Sequence, residues 1–194
     1  MILPETIIQI GSPELITRSN DVQDIASPMT RELVTHLQTL LAPNKLIGLS
    51  AVQLGIPQRI FIINVREPQP KGKDESVLRV FINPQILKES ERKIEMYEGC
   101  GSILRNNLFG PVSRPDTVTI EAYNVNGQKF KLTANGILAR VIQHEYDHLE
   151  GILFTEKVSD YKKLMDLEHY IEFARGNLAQ KEAYTITILE EEFS

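Results

Sequence analysis

The chain has 194 residues, 42% of them hydrophobic and 24% charged, which is ordinary for a globular protein and enough for one domain with a full core. A formal charge of −5 argues against nucleic acid or an anionic membrane as partner, since both need clustered Lys and Arg; small groups such as Lys162 and Lys163 read as a solvated helix face. A single cysteine forbids an internal disulfide, and no apolar run approaches the roughly 20 residues of a membrane span.

In chain order, MILPETIIQIGSPELITR lacks the cationic n-region and apolar stretch of a secretory signal and the Arg-rich character of a transit peptide. With the unpaired thiol, this predicts a cytoplasmic protein. Ser27 and Pro28 supply an N-cap and a first-turn proline, Leu33, Leu37, Leu40 and Leu41 recur at helical spacing, and Pro43 ends the run. Beyond the turn at Gly55 and Pro57, Arg59 to Val65 reads as a buried strand, and Glu67 to Ser76 as an exposed loop. Short strands are expected at Val77 to Ile82, Ile86 to Glu89 and Lys93 to Tyr97. Thr117 to Tyr123, the turn at Asn126-Gly127, and Gln128 to Leu132 form a hairpin signal. A helix from about Asn135 to Leu149 follows, closed by Gly151, then another from about Asp160 to Ala174. Tyr184 to Leu189 favours strand by its β-branching. Scattered strands with few long helices predict an α+β fold: antiparallel β-sheets packed around a central helix that carries the motif described next.

That motif is HEYDH, with His144, Glu145 and His148. Residues four apart share one helix face, so both imidazoles can reach one ion. Glu145 lies about one hundred degrees around the helix, where it can serve a water rather than the ion. Ile137 and Val141 fall on the histidines' stripe, so that face is apolar. The third ligand has several candidates. The position that would hold a third histidine in HExxHxxGxxH is Phe154, which cannot bind metal. Glu168 or Glu172 could serve from a following helix. Cys100 in EGCGS offers a thiolate, a strong ligand for divalent iron or zinc, between two glycines that allow close backbone approach. A lone cysteine is also commonly a small buried hydrophobe. In GLSAVQ, Gly48 to Gln53, a turn led by glycine places an amide that suits an oxyanion donor.

Taken in order, LIGLSAVQ (Leu46 to Gln53), EGCGS (Glu98 to Ser102) and HEYDH resemble the peptide deformylase family, whose pattern is GxGxAAxQ, EGCxS and HExDH. IIQIGSPEL and ARVIQHEYDHLEGILF add to a likeness that runs from about Ile8 to Lys163. The resemblance implies one catalytic domain over 1–194, with a less anchored extension from about 164. It implies a hydrolase that removes the formyl group from the initiator methionine of nascent polypeptides. Cys100, His144 and His148 would hold the ion, generally Fe2+, with Zn2+, Ni2+ or Co2+ able to replace it. Glu145 would be the acid/base, with the Gln53 amide and the Gly101 backbone N–H as oxyanion donors. Gly48, Val141, Leu138 and Met96 would line the substrate pocket. Glu98 would support the site through Arg114 or Arg140, while Arg105 and Arg114 are the candidates for gripping peptide.

N-formyl-methionyl peptides and nascent chains are thus the expected partners, at or near the ribosome, with no nucleic-acid or membrane binding. Leu46, Ser50 and Gly101 depart from the family pattern, at its first glycine, its first alanine and the bulky residue after the cysteine. They leave room for a protein that binds formyl peptides without turnover. A zinc endopeptidase would leave EGCGS and GLSAVQ unexplained.

Overall fold

The computed structural model describes residues 3–67, 75–185 and 188–193. One antiparallel sheet contains β1 (Gly48–Ser50), β2 (Ile60–Glu67), β3 (Glu75–Glu89), β6 (Thr117–Tyr123), β7 (Lys129–Asn135) and β8 (Ile188–Phe193), in the order β1-β2-β3-β6-β7-β8. A second sheet pairs β4 (Lys93–Gly99) with β5 (Phe109–Pro115). The longer helices are α1 (Pro28–Leu41) and α2 (Gly136–Leu149); the short α3 (Leu167–His169), a π-helical turn (Tyr170–Ala174) and α4 (Leu178–Ala183) follow. The α+β expectation holds.

Why the sheet is buried on both faces at β2 is legible in IFIINV, the start of that strand. Side chains alternate along a strand, so a strand covered on both sides must be apolar at every position. Phe61, Ile63 and Val65 pack with Phe81, Val118, Ile120 and Leu132 against Leu138 and Ile142 of α2. Ile60 and Ile62 face the other way, joining Leu33, Leu37 and Leu41 of α1 with Leu49 and Ile82. Ser27 caps α1 as the sequence indicates, its hydroxyl accepting the Thr30 N–H at 3.1 Å. Asn126-Gly127 turns β6 into β7 as the hairpin signal indicates, with Ile120 opposite Leu132. Gly136 and Gly151 flank α2 at φ +59° and +74°. Gly151 follows the C-cap Glu150, as expected of a C′ glycine.

Several expectations need correction. Val77 to Ile82 and Ile86 to Glu89 are one strand, β3, whose register with β6 shifts twice; Asn83 sits at φ +50° within it. Residues 68–74 of the predicted loop lie outside the described residues, while Glu67 and Glu75 to Ser76 are strand. The predicted helix from Asp160 to Ala174 is broken, because Met165 exchanges two backbone hydrogen bonds with Phe109 (2.8 and 2.9 Å). Tertiary pairing overrides helix propensity there. The last strand falls later than predicted, at Ile188–Phe193, and takes in the acidic residues Glu190 to Glu192. Arg79 explains part of that shift, bridging Glu67 and Glu191. Among the described residues no helix is long and apolar enough to cross a membrane.

Candidate active site

Helix α2 carries His144, Glu145 and His148, and Cys100 follows directly on β4. Cys100 Sγ lies 3.2 Å from His148 Nε2, and donor atoms of Cys100, His144 and His148 all fall within 4.8 Å of one another. A tetrahedral ion with one sulfur and two nitrogen ligands needs donors roughly 3.3–3.6 Å apart, so the group fits a metal after small adjustments. Its mix of one thiolate and two imidazoles is that of a zinc or iron centre, not of a calcium or magnesium site. Glu168 and Glu172, the alternative third ligands, are exposed and outside this group.

A buried chain of charges orients the first histidine. His144 Nδ1 meets Glu98 Oε2 at 3.0 Å, which leaves Nε2 for the ion. Arg114 grips both oxygens of Glu98 (2.6 and 2.9 Å) and reaches Asp147 at 2.6 Å, and Lys157 closes the chain on Asp147 at 2.7 Å. Arg140 adds a bond to Glu98 at 2.8 Å and ties down the carbonyls of Val112 and Ile94. Burial alone would raise the Glu98 pKa, but Arg114 and His144 outweigh it and hold the carboxyl well below its usual range. Both arginines named as possible supports therefore act together. Arg114 is fully committed to this cluster and is unavailable to grip peptide.

Glu145 has a different setting. Burial pushes its pKa up to about 7, against lowering by His144 and Ser50, and its Oε2 has no hydrogen-bond partner. Gly48 explains the tight fit: a carbon added there would lie 2.6 Å from both Glu145 Oε1 and Val141 Cγ1. Gln53 is held from behind. Its Oε1 accepts from the Ser50 N–H (2.9 Å) and hydroxyl (3.1 Å), so Nε2 points at Ser102 Oγ (3.3 Å) and Cys100 Sγ (3.6 Å). Ser50, one of the departures from the family pattern, thus fixes the amide's direction.

Cys100, His144 and Glu145 open into a cavity of about 490 Å³. Lys45 to Gly48 form one wall and Tyr97 to Gly101 the other, with Ile137, Arg140 and Val141 between them. Val141 lines the cavity. Leu138 and Met96 do not: both are buried in the core behind the cavity, and Ile137 takes the wall position. Arg105 lies in a neighbouring cleft with Gln9 and Asn106. The far end is built from Leu167, Tyr170, Ile171, Arg175 and Tyr184, none of which a local motif singled out.

The family model for polypeptide deformylase matches residues 4–164. The chain belongs to that family. It is 38% identical over 191 residues to the peptide deformylase of Christiangramia forsetii, covering 92% of each chain. It is 33% identical over 176 residues to that of Rhizobium meliloti, covering 90% of this chain and 92% of that one. Among solved structures, the peptide deformylase of Ehrlichia chaffeensis in complex with actinonin superposes with a TM-score of 0.73 at 31% identity, over 84% of this chain and 92% of that one. The Met-Ala-Ser-bound class I type b enzyme of Acinetobacter baumannii gives 0.71 at 27%, over 81% and 99%. The chain is therefore a metal-dependent hydrolase of the deformylase family, as the three motifs implied.

Proposed function

We propose that Cys100, His144 and His148 hold a divalent ion, Fe2+ in the native protein with Zn2+, Ni2+ or Co2+ as substitutes, and that this centre removes formate from N-formyl-methionyl peptides. The observation that carries it is the convergence of those three donors beside the buried Glu145 carboxylate, whose Oε2 has no hydrogen-bond partner. When bound, the ion supplies Lewis-acid polarisation and lowers the pKa of water toward about 7.

The chain's own groups do the rest. Ile137 and Val141 enclose the methionine side chain, with Gly48 giving the substrate backbone close approach. Gln53 Nε2 and the Gly101 N–H donate to the oxygen that gains charge. Glu145, with a pKa already near neutrality, takes a proton from the attacking water and passes it to the leaving amine as the C–N bond breaks. Glu98 and Arg114 hold His144 in place. The helix bearing these groups is the central one of a single catalytic unit, 1–194. The segment beyond 164, where the family match stops, forms part of the cavity wall. A formylated nascent chain places the protein in the cytoplasm, close to the ribosome.

The departures at Leu46, Ser50 and Gly101 do not favour a binder without turnover. Ser50 anchors Gln53, and Leu46 fills the space beside Gly101: a carbon added to Gly101 would lie 3.0 Å from Leu46 Cδ1. The test measures formate release from formyl-Met-Ala-Ser together with metal content. Wild type releases formate and holds about one ion per chain, while Cys100→Ala loses both. Glu145→Gln keeps the ion but turns over on the order of 10² to 10⁴ more slowly. Internal peptide cleavage without formate, or a Glu145→Gln enzyme within a few-fold of wild type, would defeat the reading.

A further inference from the structure

β4 has one edge taken by β5 and one facing the cavity. In an antiparallel pair, residues of one parity direct their backbone groups to the partner and the others direct them away. Tyr97 and Gly99 are of the outward set. Tyr97 lies opposite Pro111, which has no N–H to give. Gly99 lies opposite Phe109, whose N–H and C=O are both engaged with Met165. The outward groups of Gly99 therefore open on the cavity beside Cys100.

Those of Tyr97 are taken. Gln180, on α4 and only 3% exposed, accepts the Tyr97 N–H through Oε1 at 3.2 Å and donates through Nε2 to the Tyr97 C=O at 3.3 Å. A side-chain amide offers one acceptor and a donor side by side, as a strand residue does. Here it stands where the next residue of a pairing strand would stand. Its position is fixed at both ends. Asn177 caps α4 by accepting the Gln180 N–H at 2.7 Å, and the Gln180 side chain also hydrogen-bonds Tyr170, which stacks face to face on Phe109 with centroids 4.2 Å apart.

We infer that Gln180 is a specificity-determining residue that ends the peptide-pairing edge of β4. A formyl peptide with its reacting carbon beside Cys100 runs back along β4 and pairs with Gly99. The residue two further on would reach Tyr97, because strand pairing repeats every second residue, and finds its partners occupied. Substrate is read over its first residues and then released from the strand, so longer nascent chains gain nothing from length. This rests on the formyl-peptide reading above.

The experiment compares kcat/KM for formyl-Met-Ala-Ser and formyl-Met-Ala-Ser-Ala-Ala in wild type, Gln180→Ala and Gln180→Glu. Wild type gives a ratio near one. Gln180→Ala favours the pentapeptide by about tenfold through KM, the order expected of two hydrogen bonds opened to a ligand. Gln180→Glu keeps the acceptor but loses the donor and falls between. A merely structural role would slow both peptides alike and leave the ratio unmoved.

Hydrogen exchange at the Tyr97 amide gives a second readout that needs no turnover, with the product peptides Met-Ala-Ser and Met-Ala-Ser-Ala-Ala as probes. In wild type the amide is protected with or without peptide. In Gln180→Ala it exchanges faster and only the longer peptide restores protection, whereas Gln180→Glu, which keeps the acceptor for the Tyr97 N–H, stays protected. A wild-type ratio that already climbs with length, variant ratios within twofold of wild type, or a Tyr97 amide indifferent to Gln180 would each overturn the inference. Absence of formate from both peptides would instead count against the deformylase reading, and the exchange measurement would still decide the role of Gln180.

Discussion

The two ends of the cavity are built differently. At the ligand end, His144, Glu145, Cys100 and Gln53 come from three segments packed into the core, His148 is buried against Cys100, and Glu98 sits in a net of two arginines and a histidine. At the far end, Leu167, Tyr170, Ile171, Arg175 and Tyr184 come from short helical pieces, with Ile171 and Tyr184 half-exposed. Chemistry needs atoms held to a fraction of an ångström, and buried paired charges supply that. A wall that only limits and orients a peptide can be assembled from surface segments.

If rigidity at the ligand end rests on the charge net, breaking it should cost more than any change at the far end. Arg114→Met leaves two buried carboxylates short of a partner, and unfolding free energy should fall by about 3–5 kcal/mol, nearer 3 because Arg140 and Lys157 remain. Denaturant titration measures it, and a loss below about 1 kcal/mol would mean the net is decorative.

Between the two ends, Leu46 and Gly101 can be exchanged. Gly101 lies outside the left-handed region, so its limit is space rather than backbone conformation. Gly101→Leu alone should destabilise by about 1–3 kcal/mol through overpacking against Leu46. Adding Leu46→Gly should recover part of that, with a coupling of about 0.5–3 kcal/mol in the double-mutant cycle. Strict additivity would show that the two departures from the family pattern arose independently.

The smallest effect belongs to the outer segment. Asp166 caps α3 and meets His169 Nδ1 at 2.8 Å on the surface. That bond raises the His169 pKa, while the backbone and side chain of His169 lower that of Asp166. The pair's contribution is therefore whole below the ordinary histidine value of about 6.5 and above the ordinary aspartate value of about 3.9. It is lost as pH rises through the raised His169 value, or falls through the lowered Asp166 value. His169→Gln should remove a small alkaline step from the Tm–pH curve, and leave the formate assay's pH profile alone. A changed activity profile would join the two ends more closely than their construction implies.

The same contrast decides what could be read from the sequence. HEYDH, EGCGS and GLSAVQ are each contiguous, so the pair of histidines is legible from helical spacing, while spacing alone leaves Cys100 beside Glu168 and Glu172 and the resemblance is what points to the cysteine; the structure brings Cys100 to the histidines. Also legible were the β6–β7 hairpin and α2, where the Asn-Gly turn and the apolar periodicity agree with tertiary packing. β5 escaped notice because Pro111 and Pro115 argue against a strand, yet both fall where a backbone N–H is not needed for pairing with β4. Met96 and Leu138 are apolar neighbours of the motifs, which the resemblance alone does not separate from pocket walls, but alternation and helical phase turn them into the core. Gln180 could not have been found this way. Its partner is 83 residues earlier in the chain, and an isolated glutamine carries no local signal.

Gly48 has a kinetic consequence as well as a steric one. With β1 pressed against Glu145 Oε1, the strand side of the carboxylate has no room for water, and Glu145 is only 3% exposed. On the function proposed above, a proton on Glu145 would enter and leave by the cleft, and a bound peptide would cover that route, keeping the proton taken from water with the enzyme until the amine is there to receive it. The absence of one methyl group on β1 would thereby make proton transfer a closed circuit for the lifetime of the complex.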